Sequence, residues 1–182
     1  MRMETSDETL VAMATNGDGG AFRNLLERHY ALIYRVGFRV LGNREDAEDL
    51  AQDICAALPK KLTSFKGHAR FTTWLHQIVI NAARDLIRRN QGARRKASGW
   101  GETEVLRRNE ATAAKAEQDW LSNAMTTMPL DLRETVALVL GEDMTHREAS
   151  EVLDLSEGTV SWRMSEVKKV LREIAKQEEM LG

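Results

Sequence analysis

Cysteine is almost missing from this chain of 182 residues: Cys55 stands alone, so no internal disulfide can form. The four histidines, His29, His68, His76 and His146, have no partner at zinc-ligand spacing, and neither a structural metal nor a cofactor is expected. Cys55 sits between Ile54 and Ala56 in an apolar stretch and reads as an inert core thiol. Long apolar runs are missing too. None approaches the roughly 20 residues that span a bilayer, and residues 1–9 are polar and acidic where a signal peptide would be basic and then apolar. No membrane insertion and a cytoplasmic location are the expectations. Proline is scarce, with Pro59 and Pro129 alone, and period-two alternation is hard to find. Apolar residues recur at helical spacing nearly everywhere, so the predicted fold class is all-α.

Charge nearly cancels over the whole chain, at a net -2, but not along it. Residues 1–59 hold 6 basic and 10 acidic side chains, residues 60–96 hold 10 and 1, and residues 97–182 hold 10 and 17. A basic island between acidic flanks points to a polyanionic partner for the middle segment.

The length suits one ordinary domain or two small ones, and the pattern favours two small helical domains: residues 5–96, a flexible linker over 97–118, and residues 119–177. Thr5 and Glu8 form a capping-box pattern for a first short helix, which stops at the turn Asn16-Gly17-Asp18-Gly19-Gly20. The buried face of a long second helix is marked by Phe22, Leu25, Leu26, Tyr30, Ile33 and Val40, and Gly42-Asn43 closes it. Asn43 then caps a third helix with the inward stripe Ala47, Leu50, Ala51, Ile54, Leu58 and Leu62. Pro59 predicts a kink or break within it.

A fourth helix is predicted from about Phe71 to Arg89. Phe71, Leu75, Ile78, Val79, Ala82 and Leu86 fall on one side, and Gln77, Asn81, Arg84 and Arg88 form a narrow stripe opposite. A solvated polar face is the plain reading of such a stripe. Its continuation into Arg88, Arg89, Arg94, Arg95 and Lys96 favours a nucleic acid instead. From Ala97 to about Gln118 no apolar stripe is clear, which suggests the linker; fully extended, such a segment reaches on the order of 70 Å.

The C-terminal part opens with a helix carrying Trp120, Leu121, Ala124 and Met128, then Pro129 and a helix started by Asp131 with Glu134 three residues on. Gly141 ends that helix. Thr145 with Glu148 starts the next, whose Ala149 and Val152 point inward. Asp154-Leu155 turns the chain, and Ser156 caps a last helix to about Gln177. This is the spacing of a helix-turn-helix. Val160, Met164, Val167, Leu171 and Ile174 form the packed stripe of the last helix, leaving Trp162, Ser165 and Lys169 opposite and Ser161 beside them. Trp162 there either packs on another domain or chain, or contacts a thymine methyl in the major groove, with Ser161 and Ser165 as hydrogen-bonding readers.

In Asn43 to Asp53, the carboxylates Asp46, Asp49 and Asp53 share a helical face. Three readings stand: a magnesium-dependent nuclease, a solvated face, and a surface that docks on a basic protein. Against the first, carboxylates on one exposed helix converge poorly, and no His or Lys nearby supplies a base.

Taken together, these residues resemble the extracytoplasmic-function (ECF) class of bacterial sigma factors across nearly the whole chain. Asp46-Ala-Glu-Asp-Leu-Ala-Gln-Asp is similar to that family's polymerase-binding helix. Phe65-Lys-Gly-His-Ala-Arg-Phe-Thr-Thr-Trp-Leu-His-Gln-Ile, with Asn81 and Asp85-Leu-Ile-Arg-Arg, resembles its promoter-melting and minus-ten segment. Met128-Pro129 with Arg133-Glu134, then Thr145 to Lys169, resembles its minus-thirty-five reader. The chain departs from the pattern at Pro59, at His76-Gln77, and at Ser161, Trp162 and Glu166, positions where the family often carries an aromatic residue, Tyr-Arg and basic residues respectively.

The resemblance implies a non-enzymatic initiation factor with core RNA polymerase and promoter DNA as partners. Asp46, Glu48, Asp49, Gln52 and Asp53 would dock on the coiled-coil clamp of the polymerase's largest subunit. Phe65, Lys66, Gly67, His68 and Arg70, with Trp74, Gln77 and Asn81, would open the minus-ten element and hold a flipped base, while Arg84, Arg88 and Arg89 grip backbone phosphate. Thr159, Ser161, Trp162, Arg163, Ser165 and Lys169 would read the minus-thirty-five element. An anti-sigma protein is also implied, and the short stretch Lys176 to Gly182 is too small for a regulatory domain, so control is expected in trans. The competing reading is a helix-turn-helix regulator that binds duplex DNA without joining the polymerase.

Overall fold

The computed structural model describes residues 5–97 and 124–179, and every regular element among them is helical. They are α1 (Asp7–Thr15), α2 (Gly19–Leu41), α3 (Arg44–Leu62), α4 (Phe71–Ala97), a helical turn at 124–127, α5 (Leu130–Val139), α6 (His146–Leu153) and α7 (Glu157–Glu179). Apart from its first residue, the linker expected over 97–118 lies outside the described residues, as do Trp120 and Leu121 and the side chains of Arg94, Arg95 and Lys96.

Local signals set most of the boundaries. Asn43 accepts a hydrogen bond from the Asp46 N–H (3.1 Å) and caps α3. Gly42 takes the left-handed conformation (φ 70°) that lets α2 stop and α3 leave at an angle. Thr145 and Glu148 satisfy each other's backbone as a full capping box on α6. Asp154 (φ 55°) makes the left-handed turn between α6 and α7, and Ser156 accepts from the Thr159 N–H at 3.1 Å.

Three local expectations need correction. The cap of α1 is Ser6, which accepts from Thr9, one residue later than Thr5. Pro59 does not break α3, which runs on to Leu62; the proline is exposed in the last turn, with only three helical residues after it. Asp131 does not cap α5: Pro129 holds the N-cap position without a side-chain bond, and Glu134 points elsewhere.

The N-terminal unit, α1 to α4, buries Leu25, Ile33 and Val36 of α2 against Leu50, Ile54 and Leu58 of α3 and Phe71, Leu75 and Val79 of α4. Each such side chain removed from water stabilises the fold by about 1.5–3 kcal/mol. Tyr30, expected inward, is 43% exposed. The C-terminal unit, α5 to α7, has its own cluster of Met125, Met128, Leu132, Val136, Met164 and Val167.

The two units also pack on each other. Ala137, Leu138, Ala149, Val152 and Val160 join the same apolar cluster as the N-terminal core. This explains why α4 is buried on a wider face than its period suggests. His76, Ile80 and Ala83 are buried as well, and at about 100° per residue they sit about a third of a turn from the centre of the predicted stripe.

Candidate nucleic-acid interface

On α3, Asp49, Gln52 and Asp53 are exposed and Asp46 is partly so. Helical geometry puts Asp46, Asp49 and Asp53 on one face. Glu48 lies on a different side, tied to Arg44 at 2.9 Å. Among the described residues, no three His, Cys, Asp or Glu side chains come together as a group that could hold a metal. The α3 face is a negatively charged surface beside a half-buried Cys55, whose thiol burial pushes up.

The loop between α3 and α4 leaves Lys66, Gly67, His68 and Arg70 exposed, and Gly67 turns it with φ 71°. Its base is held by aromatic contacts. Phe65 packs on Phe71 (centroids 5.8 Å apart) and Trp74 (5.3 Å), and Trp74 on Phe71 (5.6 Å). Phe65 and Trp74 are therefore only partly available, each being half-buried among these contacts.

Along α4, Asn81, Arg88 and Arg89 are exposed, and Arg88 approaches Asp85 at 3.5 Å. Gln77 and Arg84 are engaged by the other unit. Gln77 donates from Nε2 to the Glu151 carbonyl (3.0 Å). Arg84 donates from Nε and Nη2 to the two oxygens of Glu134 (2.6 and 2.7 Å) and from Nη1 to Asn81 (3.2 Å). The Glu134 hydrogen bonds act most strongly on the Arg84 pKa and raise it, against the lowering effect of burial.

Helix α7 presents Trp162, 57% exposed, with Ser161, Ser165 and Lys169 also exposed. Ser161 bonds to His146 Nδ1 (2.8 Å), Ser165 donates to the Trp162 carbonyl (2.7 Å), and Lys169 pairs with Glu166. Thr159 is spent on capping with Ser156. Arg163 turns back toward its own unit, donating to the Asp131 carbonyl (3.3 Å). The exposed set is thus Ser161, Trp162, Ser165 and Lys169.

Sequence reasoning missed the residues that join the units. Glu142, just after α5, accepts from Arg35 Nε and Nη2 (both 2.7 Å) and from Arg39 Nη1. His76 Nε2 lies 3.7 Å from Glu142, too far for a hydrogen bond, and has no hydrogen-bond partner among the described residues. Burial works to raise the Glu142 pKa. The Arg35 and Arg39 hydrogen bonds, the nearby His76 and the Arg35 charge outweigh it and hold the carboxyl at about 2. Arg133 donates to the Val40 carbonyl (2.9 Å) and to the carbonyls of Thr126 and Met128. The only signal in the sequence was an acidic residue, Glu134, set among the apolar positions of α5.

Comparison with known proteins adds two family matches, Sigma-70 region 2 over residues 25–93 and Sigma-70, region 4 over residues 118–171. The ECF RNA polymerase sigma factor SigM of Mycobacterium tuberculosis is 31% identical over 163 residues, covering 89% of this chain and 81% of that protein. CnrH, solved in complex with the cytosolic domain of CnrY, superposes with a TM-score of 0.73 at 25% identity over 95% of this chain and 99% of that one. A sigma factor RpoE, solved with the anti-sigma factor NepR from Bartonella quintana, has the same fold, with a TM-score of 0.70 at 21% identity over 85% and 96%.

Proposed function

Because the chain belongs to the ECF class of RNA polymerase sigma factors, we propose that its helices divide promoter recognition and polymerase docking among them. The observation that carries this is the presence of both regions, in order, on one helical scaffold. The exposed carboxylates Asp46, Asp49 and Asp53 with Gln52 suit a basic polymerase surface, and Glu48 contributes from the flank. The loop Phe65 to Arg70 with Trp74, Gln77 and Asn81 engages the minus-ten strand. A flipped base there finds aromatic edges and amide donors, which offsets unstacking without ATP. Arg84, Arg88 and Arg89 hold phosphate.

Trp162, Ser161, Ser165 and Lys169 read the minus-thirty-five duplex, with Thr159 and Arg163 supporting the helix that carries them. The functional division is residues 5–96 and 119–177, joined by 97–118. The role needs no catalytic chemistry. No described helix is long and apolar enough to cross a membrane, in keeping with action on DNA in the cytoplasm. Control by an anti-sigma protein is supported by the RpoE relative, solved with one.

The test is transcription by purified core enzyme plus this chain on genomic fragments, with start sites mapped. Specific starts are expected, and they should vanish in an Asp49→Arg/Asp53→Arg variant that stays folded but no longer binds core. Undiminished core binding by that variant would remove the docking assignment.

A further inference from the structure

We infer that Trp162 selects the minus-thirty-five sequence by covering the 5-methyl group of a thymine, and that the reading end of α7 makes no guanine contact. The inference rests on the reading of α7 as the minus-thirty-five helix and adds the class of base it selects. A helix-turn-helix enters the major groove with the first residues of its second helix, which here begins at Glu157. Guanine shows two acceptors in that groove, and a free arginine or lysine is their commonest specific partner. No such donor stands free at this end of α7. Arg163 is the one basic residue between Glu157 and Lys168. Its side chain is 15% exposed and turned inward, with Nη1 donating to the Asp131 carbonyl at 3.3 Å and Nε 3.7 Å from the Asp131 carboxylate. The exposed Glu157 in the first turn is itself an acceptor and is repelled by an edge made of acceptors. Lys169, further along, is held by Glu166.

The hydroxyls of this end are engaged as well. Ser161 Oγ is bonded to His146 Nδ1, which reaches it from the first turn of α6 (2.8 Å). Ser165 gives its only hydroxyl proton to the Trp162 carbonyl (2.7 Å). Thr159 shares its hydroxyl with the cap residue Ser156 (2.8 Å). The group left to meet the base edges is the indole of Trp162, 57% exposed. A helical side chain leans toward the N-terminus, over the residue four positions back. For Trp162 that residue is Gly158, which has no side chain to come between the ring and the groove. An apolar plane finds one distinctive apolar feature in the major groove, the methyl group that thymine alone of the four bases carries. Covering it is worth about fourfold in affinity, the scale for one buried methylene-sized group.

The test uses holoenzyme formed from purified core and this chain, bound to synthetic promoter duplexes that contain a mapped start site and a constant minus-ten element. Uracil replaces each thymine of the minus-thirty-five element in turn, which removes the methyl group and keeps the base pair. Binding should weaken about fourfold for at least one of these thymines. Trp162→Ala should abolish that difference, so that thymine and uracil duplexes bind equally and less tightly than the parent binds thymine. Trp162→Phe, which keeps an aromatic face, should retain most of it.

Equal binding of thymine and uracil duplexes by the parent overturns the methyl contact, and a difference that survives in Trp162→Ala overturns its assignment to Trp162. Loss of the difference in Trp162→Phe overturns contact through the ring face. A mapped element built of G·C pairs alone also sinks the inference. If scrambling the whole minus-thirty-five element leaves binding unchanged, the reading of α7 as its reader falls, and the inference falls with it.

Discussion

Arg84 grips both oxygens of Glu134, at 2.6 and 2.7 Å, across the boundary between the two helical units. The partners are unequally placed: the Arg84 side chain is 27% exposed and the Glu134 side chain 2%. Removing the arginine strands a carboxylate that water cannot reach, while removing the glutamate leaves a cation that can turn outward.

Arg84→Ala should therefore weaken the closed form by about 3 kcal/mol, the scale for breaking a buried pair, and Glu134→Ala by clearly less. Arg84→Leu/Glu134→Leu should recover to within about 1 kcal/mol of the parent, since two apolar groups leave no charge unpaired. Chemical denaturation of the three variants measures this. Equal losses for the two single alanine variants would contradict the asymmetry.

Acid should loosen the contact between units through Glu142. Its folded value of about 2 lies below the ordinary 4.5, so its contribution is fully present above about pH 4.5 and is lost as the pH falls toward 2. Other carboxylates titrate in the same range. The measurement is therefore the difference in interdomain distance between the parent and Glu142→Gln, which should narrow on acidification and stay constant at and above neutral pH.

Gly141 has no room for a side chain. A Cβ there would lie 2.2 Å from the Ala137 carbonyl oxygen and 2.7 Å from Arg39 Nη1. Gly141→Ala should cost about 1–3 kcal/mol, as overpacking does, and should disturb the Arg39–Glu142 pair. Thermal unfolding followed by hydrogen exchange around residues 138–145 would detect both effects.

The exposed arginines of α4 make a separate, electrostatic prediction. Arg88→Ala and Arg89→Ala should each flatten the log-log salt dependence of single-strand binding by about 0.7. They should leave the melting temperature nearly unchanged, because Arg88 is 73% exposed and its partner Asp85 is 67% exposed. A salt titration of each variant beside the parent chain measures this.

Local signals were legible in the sequence wherever one residue acts on its own backbone. Asn43, Thr145 with Glu148, Asp154 and Ser156 each stand where the structure uses them. The all-α class and the helix-turn-helix followed from the same kind of short-range reading. What escaped were relations between distant segments. Glu134 looked like a partner for Asp131 three residues away, but its true partner is fifty residues back in the chain. The inward period of α4 revealed the face toward α3 and α2 and missed His76, Ile80 and Ala83, because a helix covered on two sides no longer shows a single stripe. Tyr30 fits the apolar period of α2 yet faces solvent.

The clasp of Glu142 by Arg35 and Arg39 also bears on protein engineering. A hybrid that grafts a paralogue's C-terminal helices onto these first four would inherit two clustered guanidiniums and no guaranteed anion to neutralise them. Interchangeable promoter specificity would then arrive together with an altered resting posture. Transplanting the acidic loop along with the reading helix is the way to keep the two traits separate.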